Sequence, residues 1–210
     1  KFGQGGWVTL LMTSAVIGVC YLIRRHYAKV RESVRHLEET LSTIPTHEPF
    51  NNDPVDPAKM TAILLVSSFN GFGLHTLLSI VQHFPGIYKN FIFISVAEVD
   101  SGSFKGVAEM EALRLSVKRD LEKYVKVTRA HGFSADYRTE IGTDVVDSVT
   151  SLVEKTVKEF PRSTIFTGKL VFKQENPFQK ILHNETAHSI QRRLQWGGIP
   201  TVILPIRVDI

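Results

Sequence analysis

The first residues with the chemistry of a binding site follow the first predicted strand. Residues 67–73 read SSFNGFG and stand between an apolar run and a helical pattern. Gly71 and Gly73 have no Cβ, so the backbone can approach a ligand closely there. The N-terminus of the next helix favours an anion, because its first N–H groups have no partner inside the helix. An ordinary tight turn between a strand and a helix fits the same residues equally well.

A second group of polar residues accompanies the fourth predicted strand. It opens with Gly168 and Lys169 and continues through residues 181–187, which read ILHNETA. Its lysines would form a basic rim for phosphates, although solvated surface lysines give the same pattern. An Asn and a His are unusual inside a helical stretch, since Asn can cap or kink a helix and His can simply pack. The candidate binding residues of this group are Gly168, Lys169, Lys180, His183, Asn184 and Thr186.

Residues typical of catalysis do not occur in a recognisable arrangement. The sequence has no nucleophile elbow, no HExxH zinc motif and no phosphate-binding P-loop. His75 and His83 are too far apart along a helix to form a metal pair. We therefore predict no enzymatic activity, no catalytic residue and no metal site. A hydrolase of the adenine-nucleotide α/β class is the weaker alternative.

Strands and helices alternate along the part of the chain that contains both groups. Because a helix lies in each connection, the strands must be mostly parallel. The sequence predicts an α/β fold: a five-stranded, mostly parallel open sheet with helices on both faces. Ligands of such sheets bind beyond the carboxyl ends of the strands, where the strand order reverses. The predicted strands are 62–68, 90–99, 134–141, 163–172 and 200–205, and the predicted helices are 74–84, 107–131, 144–160 (with Thr143 as N-cap) and 177–196.

The composition fits a globular domain with one appendage. The chain has 210 residues, of which 43% are hydrophobic and 22% are charged. This excludes a disordered or collagen-like chain. A single cysteine excludes an intrachain disulfide, and the net charge of +4 alone implies no nucleic-acid partner.

The appendage is an N-terminal apolar run without a charged side chain, residues 5–23. As a helix it would span about 28 Å, close to the hydrocarbon thickness of a bilayer. Arg24, Arg25 and further basic residues follow it directly. By the positive-inside rule, residues 24–210 are expected on the cytoplasmic side of a bacterial inner membrane. A buried helix of a soluble core is the alternative.

These observations divide the chain into three parts. We predict a transmembrane helix in residues 1–25, a basic juxtamembrane helix and proline-rich linker in residues 26–59, and a cytoplasmic domain in residues 60–210. The chain begins at Lys1 rather than Met, which we interpret as a sign of a longer polypeptide.

The strand order and loop positions resemble the universal-stress-protein fold, an adenine-nucleotide-binding relative of the doubly wound class. The sequence departs from the nucleotide-binding members in three places. It has Ser67-Ser68 where they carry an Asp after the first strand. Val171 stands where they have the second glycine after Gly168, and Asn184-Glu185-Thr186 takes the place of their Gly-Ser/Thr pair. The departures argue against ordinary Mg-ATP binding.

Both segments together resemble a permease. The run GGWVTLLMTSAVIGVCYLIRRHY is similar to the last membrane helix of amino-acid/polyamine/organocation (APC) superfamily permeases. Residues 166–208, with ILHNETA and IPTVILPIRV, resemble the cytoplasmic tail of Kup/KimA-type potassium importers. The resemblance implies the C-terminal regulatory and dimerisation portion of a secondary transporter that imports potassium or amino acids. A relation to the tails of cation–chloride cotransporters is a further alternative.

The resemblance also implies a ligand and partners. It implies no required cofactor, but a regulatory cyclic di-AMP or other adenine nucleotide bound between two tail domains. The implied partners are the remaining transmembrane helices, a second copy of the chain and the lipid bilayer, with no nucleic acid. A membrane-anchored nucleotide sensor without a transport role is the alternative function. The expected ligand contacts are Ser68, Asn70, Gly71, Val96, Gly168, Lys169, Lys180, His183, Asn184 and Thr186.

Overall fold

The computed structural model describes residues 6–41, 50–99, 106–172 and 186–208. Strands and helices alternate after a long first helix, as the hydrophobic pattern predicts. The helices are α1 (Gly6–Leu41), α2 (Gly71–His83), α3 (Val107–Ala130), α4 (Val145–Glu159) and α5 (Thr186–Trp196); the strands are β1 (Thr61–Leu65), β2 (Asn90–Glu98), β3 (Ser134–Gly142), β4 (Ser163–Phe172) and β5 (Thr201–Val208).

The five strands form one parallel sheet in the order β3-β2-β1-β4-β5. The order reverses beside β1, because β2 lies on one side of it and β4 on the other. Two strands that follow one another along the chain, β1 and β2, are neighbours, whereas β4 returns to the far side of β1. The predicted α/β class with a parallel sheet is therefore confirmed.

Helices cover both faces of the sheet, and each face has its own apolar core. The first core joins α2 and α3 to the sheet and includes Leu64, Leu77, Phe93 and Tyr124. The second joins α4 and α5 to the opposite face and includes Ile63. Adjacent residues of a strand point to opposite faces, which explains why Ile63 and Leu64 belong to different cores.

Helix α1 is one continuous helix of 36 residues, so the apolar run and the basic segment after it form a single element. Gly6–Arg25 is long and apolar enough to cross a membrane, and none of it is buried in the structure. Such exposure of large apolar side chains suits a lipid environment rather than water. Helix α1 also lies against α2.

Several predicted boundaries differ from the structure. The first strand ends at Leu65, three residues before the predicted end, and the last strand continues past Pro205 to Val208. Proline is tolerated there because β5 is an edge strand, where a missing N–H breaks no ladder on the open side. Of the predicted helix 177–196, the part before Thr186 lies outside the described residues.

The predicted N-cap of α4 was wrong by one residue. Asp144, not Thr143, caps the helix, and its side chain accepts a hydrogen bond of 2.9 Å from the backbone N–H of Asp147. Both residue types are common N-caps, so the sequence alone left the choice open. An ionised carboxylate gains more than a hydroxyl from the positive end of the helix dipole.

Candidate ligand-binding cleft at the carboxyl edge of the sheet

The carboxyl edge of the sheet has a recess where β1 ends. Leu65, the last residue of β1, pairs with Ile94 of β2 and Thr167 of β4. On one side β2 continues to Glu98 alongside β3, and on the other side β4 continues to Phe172 alongside β5. The short central strand therefore lies between two longer pairs. This recess, which we call the switch-point cleft, is where ligands of open α/β sheets bind.

Asn70 organises the loop at the base of the cleft. Its side-chain oxygen accepts a hydrogen bond of 2.9 Å from the backbone N–H of Gly73, and this interaction caps α2. Its side-chain nitrogen donates to the hydroxyl of Ser68 at 3.1 Å. The hydroxyl of Ser95 in β2 donates to the carbonyl of Ser67 at 3.3 Å. The loop is thus held by its own side chains and by the neighbouring strand.

Tyr124 of α3 supports the same loop from behind. Its hydroxyl donates to the carbonyl of Ser68 at 2.9 Å and accepts from the backbone N–H of Asn70 at 3.4 Å. Its ring stacks on Phe93 with the ring centroids 5.0 Å apart, and the edge of Phe69 packs against it at 4.9 Å. The side chain is fully buried. A rigid aromatic base therefore fixes the position of the cleft loop.

Gly73, in the first turn of α2, leaves room for the hydroxyl of Tyr124. A Cβ at Gly73 would lie 1.8 Å from the hydroxyl oxygen of Tyr124, which no real structure tolerates. The sequence pattern predicted that Gly73 allows a ligand to approach the backbone. In the structure, it is Tyr124 that approaches there. Gly71, its buried neighbour in the first turn of α2, remains a candidate ligand contact.

The other wall of the cleft contains Gly168 and Lys169. Both are inside β4, opposite Leu204 and Pro205 of β5, and β4 has the bounds predicted for this strand, 163–172. A Cβ at Gly168 would lie 2.6 Å from Phe72 of α2, so glycine is required for this helix to pack on β4.

Lys169 is exposed and points to the face that α5 covers. Its ammonium nitrogen lies 3.1 Å from Nε2 of His188 in the first turn of α5. A lysine ammonium has only donors, so the imidazole accepts this hydrogen bond at Nε2. Thr186, half-buried, is the first residue of the same helix. Lys169 and His188 are therefore in contact on this side of the cleft, and Thr186 lies in the same first turn of α5.

Val96 does not join either group. It lies in β2 opposite Glu140 and packs, half-buried, against the core of the α4 and α5 face. Lys180, His183 and Asn184 lie outside the described residues. The structure therefore brings together Ser68, Asn70 and Gly71 at the start of α2, and Lys169 and Thr186 near the start of α5, with Gly168 between them.

Sequence reasoning missed Tyr124, Ser95 and His188. Tyr124 stands three positions after Leu121, on the apolar side of α3, so the helical period could have indicated that it is buried. His188 is the residue directly after the ILHNETA stretch. For Ser95, the only available signal was its position near the end of a predicted strand.

Tyr137 and Arg138 of β3, outside the cleft, have shifted pKa values. Burial raises the pKa of Tyr137, and the carboxylates of Glu122 and Asp136 raise it further. Burial alone would lower the pKa of Arg138, but hydrogen bonds to Asp136 and Glu159 outweigh it and raise the pKa. Among the described residues no group of three or more His, Cys, Asp or Glu side chains could hold a metal ion.

Comparisons with known proteins concern the layout of the sheet domain. A universal stress protein from Burkholderia pseudomallei is similar at 13% identity and a TM-score of 0.49, over 73% of this chain and 100% of that chain. A universal stress protein from Archaeoglobus fulgidus is similar at 10% identity and a TM-score of 0.44, over 71% of this chain and 93% of that chain. No protein-family model matches the sequence. No curated protein matches it.

Proposed function

We propose that the sheet domain binds an anionic adenine nucleotide, with cyclic di-AMP as the first candidate, in the switch-point cleft. The observation that carries this proposal is the recess at the end of β1, between two longer strand pairs. Its loop is fixed before any ligand arrives, because Tyr124 and Asn70 hold it. A preformed loop costs little ordering entropy on binding, which favours affinity.

The chemistry of the two walls suits a nucleotide. The ammonium group of Lys169 supplies positive charge for a phosphate. The exposed hydroxyls of Ser67 and Ser68, at the base of the cleft, offer donors and acceptors to a ribose or a base. A bound phosphate would replace the imidazole of His188 as the partner of Lys169, and an anion is a stronger partner for a cation.

We further propose that the chain is the regulatory and dimerisation portion of a membrane transporter, of the type that imports potassium or amino acids. The apolar helix Gly6–Arg25 ends in two arginines, as expected for a span that enters the cytoplasm there. Helix α1 contacts α2, and α2 begins at the cleft loop. A ligand would change the membrane part only by binding one of its conformations better than another.

The proposed partner of the sheet domain is a second copy of the chain. Within the described residues β5 is an edge strand and pairs only with β4. A two-fold arrangement of two domains would let one dianionic dinucleotide touch both. The apparent mass of the full chain in detergent micelles, with and without cyclic di-AMP, tests this partner.

A membrane-anchored nucleotide sensor is the second candidate function. The observation that favours it is that the described residues contain one candidate membrane helix. The two functions differ in the natural polypeptide: a transporter requires many further membrane spans encoded with this segment, whereas a sensor does not.

Calorimetric titration of the full chain in detergent micelles tests the binding proposal. We expect saturable binding of cyclic di-AMP, and weaker binding of ATP and AMP. A rise in the unfolding temperature at saturating ligand should accompany it, since a ligand of the folded state stabilises it. If none of the three nucleotides gives heat or a thermal shift, the proposal is wrong and a purely structural dimerisation domain is left.

A further inference from the structure

Residues 50–59, which the sequence pattern assigns to a linker, lie along the amino edge of the sheet. The backbone N–H of Asn51 donates to the carbonyl of Arg129 at 2.9 Å. The side-chain nitrogen of Asn51 donates to the carbonyl of Gly132 at 3.0 Å. Both carbonyls belong to the end of α3 and the turn into β3. The start of the segment is therefore held by an element almost eighty residues away in the sequence.

Asn90 holds the middle of the segment. It is the first residue of β2, and its side chain is fully buried. Its amide nitrogen donates to the carbonyl of Asp56 at 2.7 Å, and its amide oxygen accepts from the N–H of Asp56 at 3.4 Å. The same nitrogen also donates to the hydroxyl of Thr61 at 3.1 Å. If the segment left the sheet, the buried amide of Asn90 would lose both of its hydrogen bonds with Asp56, which is costly.

A third loop holds the end of the segment. The guanidinium of Arg162, between α4 and β4, donates to the carbonyl of Ala58 at 3.0 Å. Val55 packs against the core of the α4 and α5 face. Pro54 and Pro57 fix two backbone φ angles, so the segment loses less entropy on docking than a flexible linker would.

We propose that residues 50–59 form a strap that fastens the chain arriving from α1 to the amino edge of the sheet, opposite the switch-point cleft. The connection between α1 and the first fastened residue is then residues 42–49 alone. Eight residues span at most about 30 Å in any conformation, whereas a free linker of residues 42–59 would span about 60 Å. A larger movement of the end of α1 must therefore pull on the sheet. This proposal does not depend on a ligand in the cleft.

Hydrogen–deuterium exchange of the full chain in detergent micelles tests the strap. We expect the backbone amides of residues 50–60 to exchange at least about tenfold more slowly than an unstructured chain of the same sequence. Asn51→Ala should accelerate exchange in this peptide by about fivefold to tenfold, since it removes the hydrogen bond to the carbonyl of Gly132 and the one that the side chain accepts from the N–H of Asp53. Asn52→Ala is the matched control, because Asn52 is its exposed neighbour, and it should leave the exchange unchanged.

Two results would overturn the strap. One is exchange of residues 50–60 in the unmodified chain at the rate of an unstructured peptide. The other is an equal effect of Asn51→Ala and Asn52→Ala. Exchange in β1 serves as the internal reference for folding in every variant, so a misfolded variant is recognised, and the measurement on the unmodified chain decides the question without any variant.

Discussion

The hydroxyl oxygen of Tyr124 lies 2.9 Å from the carbonyl oxygen of Ser68, fifty-six positions earlier in the chain. This contact joins the middle of α3 to the loop at the carboxyl edge of the sheet. It makes the geometry of the candidate cleft a property of the hydrophobic core, because the same tyrosine ring stacks on Phe93 inside the sheet. The cleft loop should therefore be as rigid as the core that supports it.

Tyr124→Phe should lower the free energy of unfolding by about 1–2 kcal/mol, because the carbonyl of Ser68 and the N–H of Asn70 lose a partner. Denaturant unfolding of the full chain in detergent measures this change. Tyr88→Phe is the matched control: Tyr88 is also buried, and we expect a change below about 0.5 kcal/mol. Equal effects of the two substitutions would contradict the assigned role of Tyr124.

Gly73→Ala should destabilise the fold by about 1–3 kcal/mol, because the new methyl group would meet the Tyr124 hydroxyl at 1.8 Å. In the double variant with Tyr124→Phe the oxygen is absent and the nearest atom is the ring carbon Cζ at 2.7 Å, so the total loss should be smaller than the sum of the two single losses. Strict additivity in this double-mutant cycle would show that the clash does not decide the cost.

The free energy of unfolding should fall at alkaline pH because of Tyr137. Its pKa in the folded state is raised above the ordinary tyrosine value of 10.0, first by burial and then by the carboxylates of Glu122 and Asp136. The folded state then holds its proton more firmly than the unfolded state. The contribution to stability is complete below pH 10 and is lost as the pH rises through the folded-state pKa. Tyr137→Phe should flatten the decline in unfolding free energy above pH 10, and an unchanged slope would contradict the shift.

Val16→Asp should reduce the binding of the full chain to lipid vesicles, measured by flotation. A charged residue at the centre of a membrane helix costs about 2.5–3.5 kcal/mol on insertion scales. Leu115→Asp is the control: the two side chains are similarly exposed, at 61% and 53%, but Leu115 lies on α3 of the sheet domain. If both variants float like the unmodified chain, Gly6–Arg25 is not embedded in the membrane.

The sequence predicted the elements of the sheet domain from local features. The β-branched and aromatic run of residues 90–98 and the helical stripe of α3 are both visible directly in the sequence. Strand ends depend instead on the neighbouring strand. The last strand was predicted to end at Pro205, because nothing near that residue shows that β5 continues beside β4 to Val208.

The candidate site was predictable only in part for a similar reason. Asn70 and Gly71 were predicted as turn residues before a helix that starts at 74, whereas α2 begins at Gly71 with Asn70 as its N-cap. Tyr124 and His188 reach the cleft through contacts across 54 and 19 positions, which no local pattern contains. The strap, too, has a proline-rich sequence typical of a linker, and only its contacts with Arg129, Asn90 and Arg162 reveal that it is docked.

The affinity of the full chain for cyclic di-AMP, compared between two lysine variants, tests the central claim most directly. Lys169→Gln removes the cation of the cleft, and Lys158→Gln removes an exposed cation near the end of α4, at the opposite edge of the sheet. We predict that Lys169→Gln raises the Kd about tenfold or more, as expected for a lost charge-assisted contact, and that Lys158→Gln leaves it within about twofold. Equal affinities of the two variants, or no binding by the unmodified chain, would contradict the claim that this cleft is a nucleotide site.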